Sequence, residues 1–170
     1  FFFQAEHAIR DQPRSLGRGD VYKRQVWELI HLANRHPRVN ILQPGAGVGG
    51  HCIAVDPWFI VSEYPHEARL INAARDINNY KAFWCTEKIK SSMLEFELKH
   101  GRKPMVALMG LTFKPNSDDL RESPANYIAE EVMLSEQSNF LVVEPNIESH
   151  SVFKLTPYVE AFRQADIVAF

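Results

Sequence analysis

The sequence predicts an α/β fold: a long central helical region followed by an incomplete doubly wound parallel sheet. Three observations predict it. From His66 to about His100 there is neither glycine nor proline, and apolar residues recur at the spacing of an amphipathic helix. After Gly101 come short apolar runs at Met105–Met109, Phe140–Val143 and Asp166–Phe170, separated by helix signals. Strand, helix, strand, helix, strand is the order of a doubly wound unit, and its last run reaches the end of the given sequence, so the sheet reads as unfinished.

Each element has a local reason. Residues 11–25 are dominated by turn formers and charges and read as linker or disorder. A periodic helix opens at Val26, with Trp27, Leu29, Ile30 and Ala33 on one side, and Pro37 closes it. Four of the eight glycines then fall between Gly45 and Gly50, a backbone that either turns sharply or lets a ligand approach closely. The stretch from His51 to Tyr64 reads as a short helix broken by Pro57. In the long helix, Leu70, Ala74, Ile77, Tyr80, Trp84, Cys85, Ile89, Met93 and Phe96 form the expected apolar stripe. Ser123 before Pro124 marks an N-cap with proline at the first helical position, opening a helix to about Leu134. Pro157 to Gln164 reads as the last helix.

Composition narrows the function. The 170 residues are 45% apolar and 24% charged, with a formal net charge of −2. That suits an ordinary globular protein and leaves no basic footprint for nucleic acid or an anionic membrane. No apolar run approaches the roughly 18 to 20 residues of a membrane span. Two cysteines make no disulfide framework, so the expected setting is reducing and cytoplasmic.

The residues able to carry chemistry are few. Cys52 directly follows Gly47-Val48-Gly49-Gly50-His51, near a helix start. Main-chain N–H groups and the helix dipole there favour a thiolate and would stabilise the oxyanion of an adduct, as a nucleophile requires. The competing reading is a structural cysteine beside a tight turn. Asp56 lies four residues on, one helical turn away, either assisting water at a sulfur adduct or simply solvated. Adjacent His51 and Cys52 are poor metal geometry, and no metal is expected. Cys85, on the apolar stripe, reads as structural. The loop from Gly110 to Pro124 follows the first strand at the end where open α/β sheets bind ligands. Its Lys114 and Arg121 suit phosphates, or else are incidental charges of a surface loop. Arg35, His36 and Arg38 form a small basic cluster, or a solvated helix end.

Two stretches carry a resemblance: VWELIHLANRHPRVNILQPGAGVGGHCIAVDPWF and GLTFKPNSDDLRESPA. Through them Val26 to Phe170 resembles the middle and C-terminal part of the nucleotide-sugar 6-dehydrogenases, the family acting on UDP-glucose and UDP-N-acetylmannosamine. The likeness is closest to the bacterial UDP-N-acetyl-D-mannosamine branch of enterobacterial common antigen synthesis. The family oxidises a sugar C6 alcohol to a carboxylate with two NAD and no metal. The resemblance implies that Cys52 is the nucleophile, forming a thiohemiacetal and then a thioester, and that Asp56 assists water and proton transfer. It implies sugar-nucleotide contacts at His36, Arg38, Gly49, Phe113 and Lys114, and an NAD contact at Arg121. It makes the 66–100 helix a homodimerisation helix. The implied division is a non-matching leader over 1–25, a central helical domain over 26–100, and a truncated UDP-sugar-binding α/β domain over 101–170. The chain then reads as a fragment that does not turn over alone. Two rival readings are a UDP-glucose 6-dehydrogenase and a non-catalytic UDP-binding dimerisation module.

Overall fold

The computed structural model describes residues 26–41, 45–135 and 139–169; the expected linker over 11–25, as well as Gln43, Pro44 and Phe170, lies outside them. The chain divides between Gly45 and Ala46 into two units. In the first, helix α1 spans Val26–Ala33 and buries Ile30. It ends four residues before Pro37, earlier than expected, because Asn34 turns its side chain away. The Asn34 Oδ1 accepts from the Ile41 N–H at 2.6 Å and its Nδ2 donates to the Ile41 carbonyl at 2.9 Å. That carboxamide closes the 34–41 turn.

The second unit contains α2 (Cys52–Glu63), α3 (Arg69–His100), β1 (Met105–Met109), α4 (Pro124–Ser135), β2 (Asn139–Val143), α5 (Tyr158–Gln164) and β3 (Ile167–Ala169). Pro57 does not break α2, contrary to expectation. The carbonyl that loses its donor belongs to Ile53, a largely exposed residue of the first turn, where water can replace the missing bond. Helix α3 ends at Gly101, whose φ of 69° allows its N–H to reach the Glu97 carbonyl at 2.8 Å.

All three strands run parallel in the order β2-β1-β3. Side chains alternate across β1. Val106 and Leu108 meet Ala82 and Met93 of α3 and Ile128, Ala129 and Val132 of α4 on one face. Ala107 meets Val143 and Ala161 of α5 on the other. Winding reverses at β1, so successive crossover helices cover opposite faces. The starts of β1 and β3 are tied by a two-bond fork from Arg102 to Asp166, each bond 2.7 Å. The Arg102 hydrogen bonds hold the Asp166 carboxyl down at about 2.

The expected stripe on α3 is only partly the packed one. Ala82, Thr86 and Met93 are buried, and Cys85 and Ile89 pack against the core. Leu70, Ile77 and Tyr80 are exposed. Only the middle and end of the helix lie along the sheet and α4, so periodicity alone overstated the buried face.

Two contacts position the loop after β1. Glu144, 5% exposed at the end of β2, accepts from the Leu111 N–H at 2.8 Å and the Thr112 N–H at 3.1 Å. Its other oxygen takes the Asn146 main-chain and side-chain N–H groups, both at 2.9 Å. Burial pushes this carboxyl up, but the bonds from Leu111, Asn146 and Thr112 outweigh it and hold it below the ordinary glutamate value. The second contact is the main chain of Gly49, packed against the Glu122 carbonyl. A Cβ at Gly49 would run into that oxygen and come within 2.9 Å of Pro124 Cδ.

Replacing Gly49 with alanine should therefore cost about 1–3 kcal/mol, the range for forcing an extra carbon into a packed site, measured by urea unfolding. Glu144→Gln presents an amide N–H₂ to donors and should cost about 1–3 kcal/mol. Because the folded carboxyl is depressed, its contribution is complete above about 4.5 and fades as pH falls below it. The wild-type chain should thus lose more stability than Glu144→Gln between about pH 5 and 3, and equal losses would contradict this.

Candidate functional site

The glycine-rich segment and the loop after β1 meet. The Gly50 N–H donates to the Arg121 carbonyl at 3.1 Å. Gly50 has a φ of 90°, and a Cβ there would lie 2.9 Å from the Phe113 ring, so both backbone conformation and close approach require glycine. From the other side Asn78 of α3 holds the Val48 peptide: its Oδ1 accepts from the Val48 N–H at 2.7 Å, and its Nδ2 donates to the Val48 carbonyl at 3.2 Å.

Held in this way, the segment delivers Cys52 as the first residue of α2. The thiol is exposed and lies 3.9 Å from His51 Nδ1. No side chain caps this helix start, and its first turn holds no acid, so its main-chain N–H groups remain available to an anion. Asp56 is exposed and one turn along the same helix, as the four-residue spacing predicts. Cys85 is different: half-buried on α3, its thiol is pushed up by burial, although Lys81 opposes this.

The loop after β1 folds back on itself, with the Phe113 N–H donating to the Asp119 carbonyl at 3.2 Å. Arg121 is tied to Asp119 through Nε at 2.9 and 3.1 Å and through an η nitrogen at 2.7 Å. These side-chain bonds lead in holding Asp119 at about 2, with Lys114 adding to the effect. The same bonds lead in raising Arg121. Asp119, Arg121 and Lys114 are therefore one electrostatic neighbourhood, and the Gly50–Arg121 bond joins it to the segment that carries Cys52. The Lys114 ammonium stands 5.2 Å from the Phe113 ring centre. Ser123 caps α4 as expected: its hydroxyl accepts from the Asn126 N–H at 3.3 Å and donates to the Leu111 carbonyl at 2.6 Å.

Of the residues nominated from sequence, Cys52, Asp56, Gly49, Phe113, Lys114 and Arg121 lie in the second unit. His36 and Arg38 belong to the first, where His36 Nδ1 accepts from the Arg38 main-chain N–H at 3.2 Å. Sequence reasoning missed Asn78 and Glu144. An acid directly after the apolar run ending at Val143 was the available signal for Glu144. Asn78 sits in a helix with only its low helix propensity to mark it. A cavity of about 240 Å³ opens at the end of β2, lined by Glu144, Pro145, Ile147, Leu155 and Tyr158 among others; it includes none of the nominated residues. Among the described residues no three His, Cys, Asp or Glu groups converge as metal ligands, and no helix is long and apolar enough to cross a membrane.

Comparison with known proteins places the chain in a family. Residues 20–80 match the central domain of the UDP-glucose/GDP-mannose dehydrogenase family, and residues 107–170 match its UDP-binding domain. The UDP-N-acetyl-D-mannosamine dehydrogenase of Escherichia coli K12 is 58% identical over 125 residues, 72% of this chain and 30% of that protein. The enzyme of the same name from Campylobacter jejuni is 51% identical over 151 residues, 85% of this chain and 36% of that protein. This chain thus spans about a third of the length of the curated relatives it matches. Among solved structures, the UDP-N-acetyl-mannosamine dehydrogenase of S. aureus superposes with a TM-score of 0.62 at 36% identity, over 84% of this chain and 31% of that one. A UDP-D-ManNAc dehydrogenase from Pyrococcus horikoshii gives 0.65 at 33%, over 86% and 34%. With both domains matched in order, over 20–80 and 107–170, the chain belongs to the UDP-glucose/GDP-mannose dehydrogenase family.

Proposed function

We propose that this chain supplies the thiol and part of the sugar-nucleotide site of an NAD-dependent dehydrogenase that oxidises the C6 alcohol of UDP-N-acetyl-D-mannosamine to the carboxylate. One observation carries the reading: an exposed cysteine at an uncapped helix start, delivered by glycines packed against the loop that bears Phe113, Lys114 and Arg121. The relatives' names supply the substrate class. Residues 26–100 serve as the central segment and 101–170 as the UDP-sugar-binding segment, with self-association through the 66–100 helix and a cytoplasmic setting.

Such an oxidation needs a hydride acceptor, NAD in this family. The described residues do not fit a dinucleotide cradle. The main-chain donors after β1 at Leu111 and Thr112, which would face a pyrophosphate, are already taken by the chain's own Glu144. Arg121 alone is offered to the cofactor.

The chain's own chemistry follows from Cys52. Its sulfur adds to the C6 aldehyde, forming an S–C bond while the carbonyl oxygen takes the thiol proton, and a thiohemiacetal results. Once that carbon is at the thioester level, water attacks it, the C–S bond breaks, and carboxylate and thiol are released. Asp56, one turn along α2, takes a proton from that water. Helix-start N–H groups face the developing oxyanion. Phe113 and Lys114 hold the nucleotide-sugar, with Lys114 opposite phosphate and the Gly49 main chain against the sugar. His36 and Arg38 serve as further sugar-nucleotide contacts.

The test is a chimera: the E. coli relative with its aligned 125 residues replaced by those of this chain. Cys52→Ala should abolish acid formation while leaving UDP-sugar affinity within about twofold, because the sulfur acts only as covalent carrier. A variant keeping a tenth of wild-type NADH production would contradict the role. Lys114→Ala should raise KM about tenfold or more with little change in kcat, the signature of uniform binding lost. A collapsed kcat at unchanged KM would reverse that assignment.

A further inference from the structure

We propose that Asn78 is a positioning residue for the Cys52 thiol, a role that rests on the nucleophile reading above. Its carboxamide grips both main-chain polar groups of one residue, the Val48 N–H at 2.7 Å and the Val48 carbonyl at 3.2 Å, across thirty positions of sequence. The orientation is fixed by its partners: a flipped amide would set N–H against N–H and oxygen against oxygen. Val48 is the centre of the glycine run, four residues before Cys52, and is itself 42% exposed. Apolar packing therefore does little to hold it. Its neighbours Gly47, Gly49 and Gly50 carry no side chain to restrict them, and glycine has the largest conformational freedom to lose. Three anchors remain. Gly49 and Gly50 rest on the 121–124 main chain, and Asn78 closes the opposite side from α3, a helix built into the core through Ala82, Thr86 and Met93.

The geometry thus gives a flexible segment one polar clamp from a rigid element, directly ahead of the reacting atom. The same device appears at Asn34, whose carboxamide grips the Ile41 peptide; there it closes a local turn, whereas at Asn78 it reaches from a distant helix. Loosening the clamp leaves the substrate contacts of Phe113 and Lys114 in place and displaces the thiol. A displacement of about 1 Å is enough to cost up to a hundredfold in rate.

Two readouts on the full 170-residue chain test this. Amide hydrogen exchange over 47–51 should accelerate about tenfold in Asn78→Ala, the equivalent of two lost hydrogen bonds, while the amides of β1 and α4 exchange as before. Iodoacetamide labelling of Cys52, read against Cys85 by mass spectrometry, should change about threefold or more in Asn78→Ala and stay constant in Asn79→Ala. In the chimera, Asn78→Ala should lower kcat, counted per folded enzyme, by a larger factor than it raises KM, while unchanged exchange in β1 and α4 excludes general destabilisation. Folded Asn78→Ala with unchanged exchange over 47–51, or unchanged kcat, overturns the proposal. Should Asn78→Ala not fold, Asn78→Asp takes its place: it keeps the acceptor for the Val48 N–H and loses only the donor, so exchange over 47–51 should accelerate about threefold, and an unchanged rate or unchanged kcat overturns the proposal. Wild-type Cys52 labelling no faster than Cys85 would instead sink the nucleophile reading and leave the exchange result to judge the clamp by itself.

Discussion

The site depends on a contact in which no side chain takes part. Gly49 lies against the Glu122 carbonyl so closely that the two loops share one van der Waals surface. Each loop is unconvincing by itself: one is nearly devoid of side chains, the other is polar and solvent-facing. Backbone against backbone, they acquire a fixed relation, and that relation sets the distance between a thiol and a group of charges. The device explains why the glycine run is crowded rather than open. The space a side chain would occupy is already filled, at Gly49 by the Glu122 carbonyl and at Gly50 by the Phe113 ring, so the permissiveness of glycine is spent on proximity more than on turning.

Charge in this neighbourhood is arranged rather than accumulated. Asp119 engages Arg121 through Nε and one η nitrogen, and Lys114 stands beside the pair. An anion entering here would therefore meet Lys114 as the less committed cation, with the guanidinium yielded only in exchange for its partner. Beneath, Glu144 acts as an internal anion: its carboxylate fills the donor nest that an open α/β sheet normally presents to phosphate. Rigidity after β1 and vacancy after β1 exclude each other, and this sheet has taken rigidity.

Much of this was legible in the residues. Apolar runs placed β1 at its observed bounds and β2 within one residue, because buried parallel strands carry their signal in consecutive side chains. Ser123-Pro124 announced α4 because capping is local chemistry. Legibility failed where solvent or tertiary partners decide. Pro57 was expected to break α2, but an exposed first turn tolerates the missing donor. Leu70, Ile77 and Tyr80 were counted as packing residues, but periodicity does not reveal where along α3 the sheet lies. Thiol and loop could be nominated by residue type. The meeting of the glycine run with that loop, the Asn78 grip and the enclosed Glu144 are long-range facts that no local pattern carries.

The fork between Arg102 and Asp166 also bears on how the molecule assembles. The same aspartate binds the Met105 N–H across 61 positions of sequence, and among the described residues β3 pairs only with β1. The partners of β1 thus divide into a near one, reached through α4, and a far one that must wait for a large loop to close. Loop closure is charged before any contact rewards it, so β1–α4–β2 on the preformed rod of α3 can gather first and β3 must dock late. Until it does, one edge of β1 presents unpaired main-chain groups to any passing strand, and a carboxylate that captures both a guanidinium and a strand-start amide shortens that interval of exposure.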